Sequence, residues 1–206
     1  MVKEYVTVQK QTDKEIFIKK SRFISYVAPV STETEAFDFI NQIKERHSDA
    51  THNVFAFRVG LKSDFKRQSD DGEPSGTAGK PVLDVIENQG IRNVAVVVTR
   101  YFGGIKLGAG GLVRAYSHSA KEGIEKAKIV KRTLYQEYEI EIEYPQLGKL
   151  QNEIDERDDW FLRDIEYKEN VRLVIAVPEG QDYLINYVEN LTSGSGRYLL
   201  KGLIYL

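Results

Sequence analysis

The sequence predicts two domains that mix helices and strands (α+β / α/β), and three observations carry the prediction. The 206 residues fit one large domain or two small ones. The net charge of −2 is a cancellation: residues 1–133 hold 22 Lys+Arg against 16 Asp+Glu, a net of +6, and residues 134–206 hold 7 against 15, a net of −8. A basic half joined to an acidic half points to two modules, 1–133 and 134–206, although the opposite charges could also simply attract each other or solubilise. The hydrophobic rhythm changes at the same place, from elements separated by Gly-rich loops to short, evenly spaced ones.

In the first module Tyr5, Val6 and Val8 form a short run, and Glu15 to Val27 is strand-like material rich in Ile, Phe, Tyr and Val that Pro29 ends. Thr32 and Glu35 have capping-box spacing. Phe37, Ile40 and Ile43 then recur at helical spacing, so residues 33–46 read as an amphipathic helix. Residues 53–60 read as a strand. Residues 67–80 are too rich in turn formers for a regular element. Pro81 suits the first turn of a helix with Val82, Val85, Ile86 and Gln89 on one face, and Gly90 is a natural stop. Residues 94–99 (VAVVVT) are a continuous apolar run, as for a strand buried on both faces. After a second Gly-rich stretch, 100–111, a long helix places Leu112, Tyr116, Ser119, Gly123 and Ala127 along one side.

In the second module Tyr138, Ile140 and Ile142 alternate with glutamates, the pattern of a half-buried strand. Pro145 opens a helix carrying Leu147, Leu150 and Ile154. Residues 160–167 and 171–177 are strands, 181–191 a helix, and 197–205 a last strand. The order βαββαβ is the ferredoxin-like arrangement, which hosts many functions. Trp160, the only Trp, reads as a packing residue.

Several chemistries are excluded early. Without any cysteine there are no disulfides, thiolate metal sites, iron–sulfur clusters or cysteine nucleophiles. That fits a cytoplasmic protein. No apolar run reaches the roughly 18 residues of a membrane helix, and the start, MVKEYVTVQK, lacks the apolar stretch of a secretory signal. No membrane partner is expected.

Two loops are left to carry function. The first spans Arg67 to Lys80. Its Asp70, Asp71 and Glu73 have hard-cation chemistry, but they do not follow the EF-hand spacing, so no metal is assigned. Around them stand Gly72, Pro74, Gly76 and Thr77. The Gly76–Gly79 stretch reads either as a backbone anion cradle before a helix or as a structured loop whose acids cap backbone N–H groups. The second loop follows the buried strand. Arg100, Lys106 and Arg114 supply cations, with Arg67 and Lys80 from the first loop. Tyr101 and Phe102 supply stacking faces. Gly103, Gly104, Gly108, Gly110 and Gly111 allow close backbone approach. Strand-to-helix turns of this kind bind ligands in open α/β folds, and phosphate is the natural guess. The loop matches neither the Walker pattern nor the dinucleotide fingerprint. Glycine here serves anion or nucleic-acid contact, or tight packing. His47, His52 and His118 show no metal-ligand helical spacing; His118, one turn after Arg114, either faces the same site or is a surface or packing residue. No nucleophile–base constellation appears, so no catalytic residue and no cofactor is assigned.

The stretches RQSDDGEPSGTAGKP, residues 67–81, and VVVTRYFGGIKLGAGGLVRAY, residues 96–116, closely resemble the IMPACT/YigZ family, and the resemblance to its bacterial two-domain members extends over nearly the whole chain. It implies that the N-terminal domain takes the fold of domain 2 of ribosomal protein S5, with a left-handed crossover against the usual rule. It implies a ferredoxin-like C-terminal domain similar to those of the translocating elongation factor. Eukaryotic members regulate translation under amino-acid starvation by competing for the activator of an initiation-factor kinase. The resemblance does not extend to the partner-recruiting N-terminal domain they use, so that activity is not carried over. For bacterial members the resemblance points to nucleic-acid or ribosome binding.

Three functions follow from the residues and the resemblance together. The first is a non-enzymatic binding protein that holds RNA or the ribosome through the basic loops. The second is a protein–protein regulator docking through the acidic domain. The third is a kinase-like enzyme with a phosphate ligand, against which Leu112-Val113-Arg114 stands where serines would be expected.

Overall fold

The computed structural model describes residues 2–181 and 183–206. The chain divides into two compact units, Met1–Lys131 and Arg132–Leu206. The first contains β1 (Glu4–Val8), β2 (Thr12–Ile18), β3 (Ser21–Pro29), α1 (Glu33–Arg46), β4 (His52–Val59), β5 (Phe65–Ser69), α2 (Gly79–Asn88), β6 (Val94–Tyr101) and α3 (Ala109–Ala127). Strands β2-β3-β6-β4-β5 form one sheet in that order, antiparallel at every junction.

Strand β6 lies at the centre and explains its own composition. Its alternation sends Val94, Val96 and Val98 into a core with Val82, Ile86, Leu112, Tyr116 and Ile124 of α2 and α3. Ala95 and Val97 enter the opposite core with Phe39, Ile40 and Ile43 of α1. Burial on both faces therefore comes from helices on both sides of the sheet, with antiparallel pairing to both neighbouring strands.

Three local readings are corrected. The strand-like stretch 15–27 is a hairpin: β2 and β3 meet at Ile18 and Ser21, and Lys19 (φ 45°) and Lys20 (φ 68°) make the turn. Two positive-φ residues suit the twist of a two-residue hairpin, but lysine is not the residue type that announces them. Arg67 to Ser69 belong to β5, opposite Phe57, Ala56 and Phe55, so regular structure enters the stretch read as a loop. In α1 the buried residues are Ala36, Phe39, Ile40 and Ile43. Phe37 is 36% exposed and packs edge-on against Phe55 and Phe57. The N-terminus of α1 is capped as read: the Glu35 N–H donates to Thr32 Oγ1, and the Glu35 carboxylate accepts from the Ser31 N–H.

The chain crosses the division in β7 (Ile129–Ile142) and continues through α4 (Tyr144–Asp155), β8 (Phe161–Tyr167), β9 (Val171–Pro178), α5 (Tyr183–Thr192) and β10 (Arg197–Tyr205). The order is βαββαβ. Its strands lie in the order β10-β7-β9-β8, all antiparallel. Leu150 and Ile154 of α4 and Leu184 and Val188 of α5 pack with Ile140, Leu173, Ile175 and Trp160. Residue 182, inside the stretch 181–191 read as a helix, lies outside the described residues. Among the described residues no helix is long and apolar enough to cross a membrane, and no group of three or more His, Asp or Glu is placed to hold a metal ion.

Candidate functional site

The site forms where β6 ends. Arg100 continues the parity of Val94, Val96 and Val98, so its side chain points toward the α2/α3 side and is buried (5% exposed). A buried guanidinium needs a counter-charge. Glu73, itself 8% exposed, supplies it at 2.6 Å from Nη1 to Oε1. Arg100 Nη2 donates to Ser21 Oγ at 3.4 Å, and the guanidinium lies over the rings of Phe23 and Phe102. Tyr116 of α3 donates its hydroxyl to the same Glu73 Oε1 at 2.8 Å. Burial, reinforced by Glu73, pushes the Tyr116 pKa well above the usual phenol value, so the phenol stays a donor. His52 Nε2 lies 3.7 Å from Glu73 Oε1. Its Nδ1 is 2.8 Å from the Asp71 carbonyl oxygen, which can only accept, so Nδ1 carries the hydrogen.

The first loop is organised from within. Ala78 caps α2 without a side-chain bond. Asp70 does that work from eight residues upstream, accepting the N–H groups of Gly76 (2.8 Å), Ala78 (3.0 Å) and Gly79 (2.8 Å). Burial works to raise the Asp70 pKa, and the three amides outweigh it and hold it below the usual value. These amides thus have an internal anion already. Asp71 accepts the Asn53 N–H at 2.7 Å and Lys44 Nζ at 2.9 Å. Asp71 and Gly72 both have positive φ. The Thr77 hydroxyl donates to the Pro74 carbonyl. The outcome of this folding is that Glu73 faces inward while Asp70 and Asp71 hold backbone.

The second loop is seated on the β2–β3 turn. A Cβ on Gly103 would fall 2.0 Å from the Lys20 carbonyl oxygen, so only glycine allows that approach, and the Gly103 N–H donates to Ser21 Oγ. Phe102 is 46% exposed, with its N–H bonded to Thr51 Oγ1. Helix α3 begins after Gly108 (φ 72°) with no side-chain cap, leaving a helix N-terminus with positive potential. Between the loops lies an open cavity of about 340 Å³, lined by Thr51, His52, Glu73, Pro74, Arg100, Phe102, Lys106, Leu107, Gly108, Ala109 and Leu112. A second, about 320 Å³, shares Leu107 and is lined by Ile18, Lys19, Gly111, Arg114, Ala115 and His118.

The structure therefore brings together Glu73, Pro74, Arg100, Phe102, Lys106 and Gly108, and sets Arg114 and Gly111 in the adjoining cavity. Gly104 (φ 84°) shapes the same loop, and Gly110 lies in the first turn of α3. Others lie apart. Tyr101 donates its hydroxyl to Asp49 and lies beside His47. Arg67 pairs with Glu33, and Lys80 pairs with Asp84 and Glu87. By contrast, among the described residues Lys19, Lys20, Lys106 and Arg114 have no carboxylate partner. Sequence reasoning missed Ser21, Thr51, Lys19 and Lys20 as site residues. It placed Tyr116 on the buried side of its helix without a role. His52 carried no local signal at all, because its position depends on the Asp71 carbonyl.

The family model described as Impact N-terminal domain matches residues 19–124. The chain belongs to the IMPACT family. The larger of the two cavities lies inside that match, and so does the other apart from Ile18. A second model, Domain of unknown function (DUF1949), matches residues 140–195. The IMPACT family member YvyE of Bacillus subtilis (strain 168) is 42% identical over 207 residues, covering 100% of this chain and 95% of that protein. The IMPACT family member YigZ of Escherichia coli (strain K12) is 36% identical over 163 residues, covering 78% and 79%. A crystal structure of a hypothetical protein superposes with a TM-score of 0.64 at 30% identity, over 98% of this chain and 99% of that one.

Proposed function

We propose that this IMPACT chain is a non-enzymatic, translation-associated protein that binds RNA, free or within the ribosome, through its first unit. The observation that carries the reading is the strip of cations without carboxylate partners, Lys19, Lys20, Lys106 and Arg114, beside the exposed ring of Phe102 and the uncapped start of α3. Phosphates neutralise such cations, and an aromatic face accepts an unpaired base. In the same unit Lys44, Arg58, Lys66, Arg67, Lys80 and Arg92 are matched by acids; among the described residues Lys3, Lys10, Lys14, Arg46, Lys62, Lys126 and Lys128 also have no carboxylate partner, and Lys19, Lys106 and Arg114 differ from them in lining the two cavities. Binding is favoured over catalysis because Glu73, among the described residues the one carboxylate lining the larger of the two cavities, is already paired with buried Arg100.

Further support comes from the fold. The βαββαβ order with strands in the order β10-β7-β9-β8 supports a ferredoxin-like second unit, and we read the first as S5 domain 2-like, both shapes in keeping with a role at the ribosome.

The test is a salt series of single-stranded RNA binding followed by fluorescence anisotropy. Four phosphate contacts give a log–log slope of about −3. Lys106→Ala and Arg114→Ala are each expected to flatten it by roughly 1. No binding at low salt, or binding indifferent to salt, refutes the proposal.

A further inference from the structure

We infer that the larger of the two loop cavities receives an unpaired guanine base of an RNA strand, read on its N1–H and N2–H edge by Glu73 and His52. This deepens the RNA reading and rests on it. The cavity is of small-ligand size, about 340 Å³, and has the composition of a recognition pocket, apolar walls with few convergent polar groups. The argument turns on the hydrogen-bond inventory of its floor.

Glu73 Oε1 already accepts from Arg100 Nη1 and the Tyr116 hydroxyl. Its other oxygen, Oε2, has no protein partner among the described residues. Arg100 and Tyr116 fix the carboxylate in place, so Oε2 is an immobile acceptor. His52 gives its only neutral-state hydrogen, on Nδ1, to the Asp71 carbonyl. Its Nε2 is then a second acceptor, 3.7 Å from Glu73 Oε1. Oε2 and, in the neutral ring, Nε2 are thus acceptors on one cavity lining that no protein donor fills among the described residues, beside an Arg100 Nε that is itself buried and unpartnered, and a ligand that brings donors satisfies them.

Among the bases, guanine presents two adjacent donors on one edge. Adenine and cytosine each set an acceptor nitrogen beside their amino group, which would face the carboxylate. Uracil has one N–H flanked by two carbonyls. The rest of the cavity suits the rest of a nucleotide. Phe102, exposed and fixed through its N–H to Thr51, offers a stacking face. Lys106 and the start of α3 offer positive potential for the attached phosphate. Arg114 and Lys19 in the adjoining cavity continue it for the next phosphate.

The experiment uses the full chain and labelled RNA hexamers UUUGUU, UUUAUU and the same strand with inosine at the fourth position, at one salt concentration. Inosine lacks only the N2 amino group, so the comparison leaves the protein untouched. The G strand is expected to bind about tenfold more tightly than either of the others, in line with paired donor–acceptor readout of one base. Phe102→Ala is expected to reduce its binding to that of UUUUUU. Free GMP is expected to compete with the G strand, and UMP is not. Equal affinity for G, A and inosine strands, with salt-dependent binding intact, overturns the guanine site and leaves the RNA reading standing. GMP binding with no RNA binding overturns RNA as the source of the base. No binding of either overturns both.

Discussion

Removing the Asp70 carboxylate tests the logic of the first loop at a single point. Asp70 accepts three N–H groups, and they are not equivalent. Gly76 is exposed and can turn to water, whereas Ala78 and Gly79 are buried and have no other cap. Each buried amide left without a partner costs about 1–3 kcal/mol. Asp70→Ala is therefore expected to destabilise α2 and its packing by about 3 kcal/mol. Asp70→Asn keeps one acceptor oxygen without charge and is expected to cost about half as much. Because the chain has two compact units, the appropriate readout is native-state hydrogen exchange within α2 rather than one transition for the whole chain. The pH dependence supplies a second arm. The Asp70 pKa is depressed in the folded state, so its contribution is full above the unfolded value near 4 and is lost as pH falls through the folded one. The gap between wild type and Asp70→Asn is expected to close on acidification. A cost below about 1 kcal/mol for Asp70→Ala, or a gap unchanged at low pH, would refute the view that Asp70 is the remote cap of α2.

Other perturbations address neighbouring contacts. Gly103→Ala places a Cβ 2.0 Å from the Lys20 carbonyl oxygen and 2.5 Å from the Ser21 nitrogen; neither backbone atom can yield cheaply, and urea unfolding of the first unit is expected to show a loss of about 3 kcal/mol. Tyr116→Phe removes one donor to Glu73 while Arg100 remains, costing about 1–2 kcal/mol by the same measurement. Arg100→Met leaves Glu73 buried and unpaired, costing about 3–5 kcal/mol; the reverse ranking would contradict the pairing described. Asp64 is held down to about 2 by Arg58, with Lys66 assisting. Its stabilising share, about 1 kcal/mol after allowance for solvent screening, is present above about pH 4 and lost as pH falls toward 2. In an acid titration of stability Asp64→Asn should flatten that part of the curve.

How far the sequence reveals this molecule depends on what kind of force shapes each part. Strand β6 and helices α1 and α3 are legible because burial imposes a period on their apolar residues. The β2–β3 turn is not, because Lys19 and Lys20 take a backbone conformation their side chains do not advertise. Strand β5 is a polar edge strand, and its Arg67–Ser69 end has no apolar alternation to betray it. The two loops stand out by composition, yet their internal division of labour is hidden. Asp70, Asp71 and Glu73 look alike in sequence and do different things. Asp70 holds the start of α2, Asp71 holds β4 and Lys44, and Glu73 neutralises Arg100. One signal was available: Arg100 continues the even-numbered parity of Val94, Val96 and Val98, which places a charge on a buried face and calls for a partner. Finding that partner requires the fold, since Glu73, Tyr116 and Ser21 come from three other segments.

The position of β6 also sets the order in which this unit can be completed during synthesis. Strands β3 and β4 each pair with β6 and not with each other. As the chain emerges from its N-terminus, the β2–β3 and β4–β5 hairpins exist as two separate ribbons, each with a bare edge of N–H and C=O groups. No sheet joins them until residue 101 has been made and β6 slots between them. Such late, non-local closure is slow relative to hairpin formation. It leaves two matched sticky edges waiting on the same nascent chain, where a chaperone or a neighbouring chain can compete for them. Because Arg100 arrives on that last strand and Lys106 to Leu112 follow it, the cavity comes into being only after the sheet has closed.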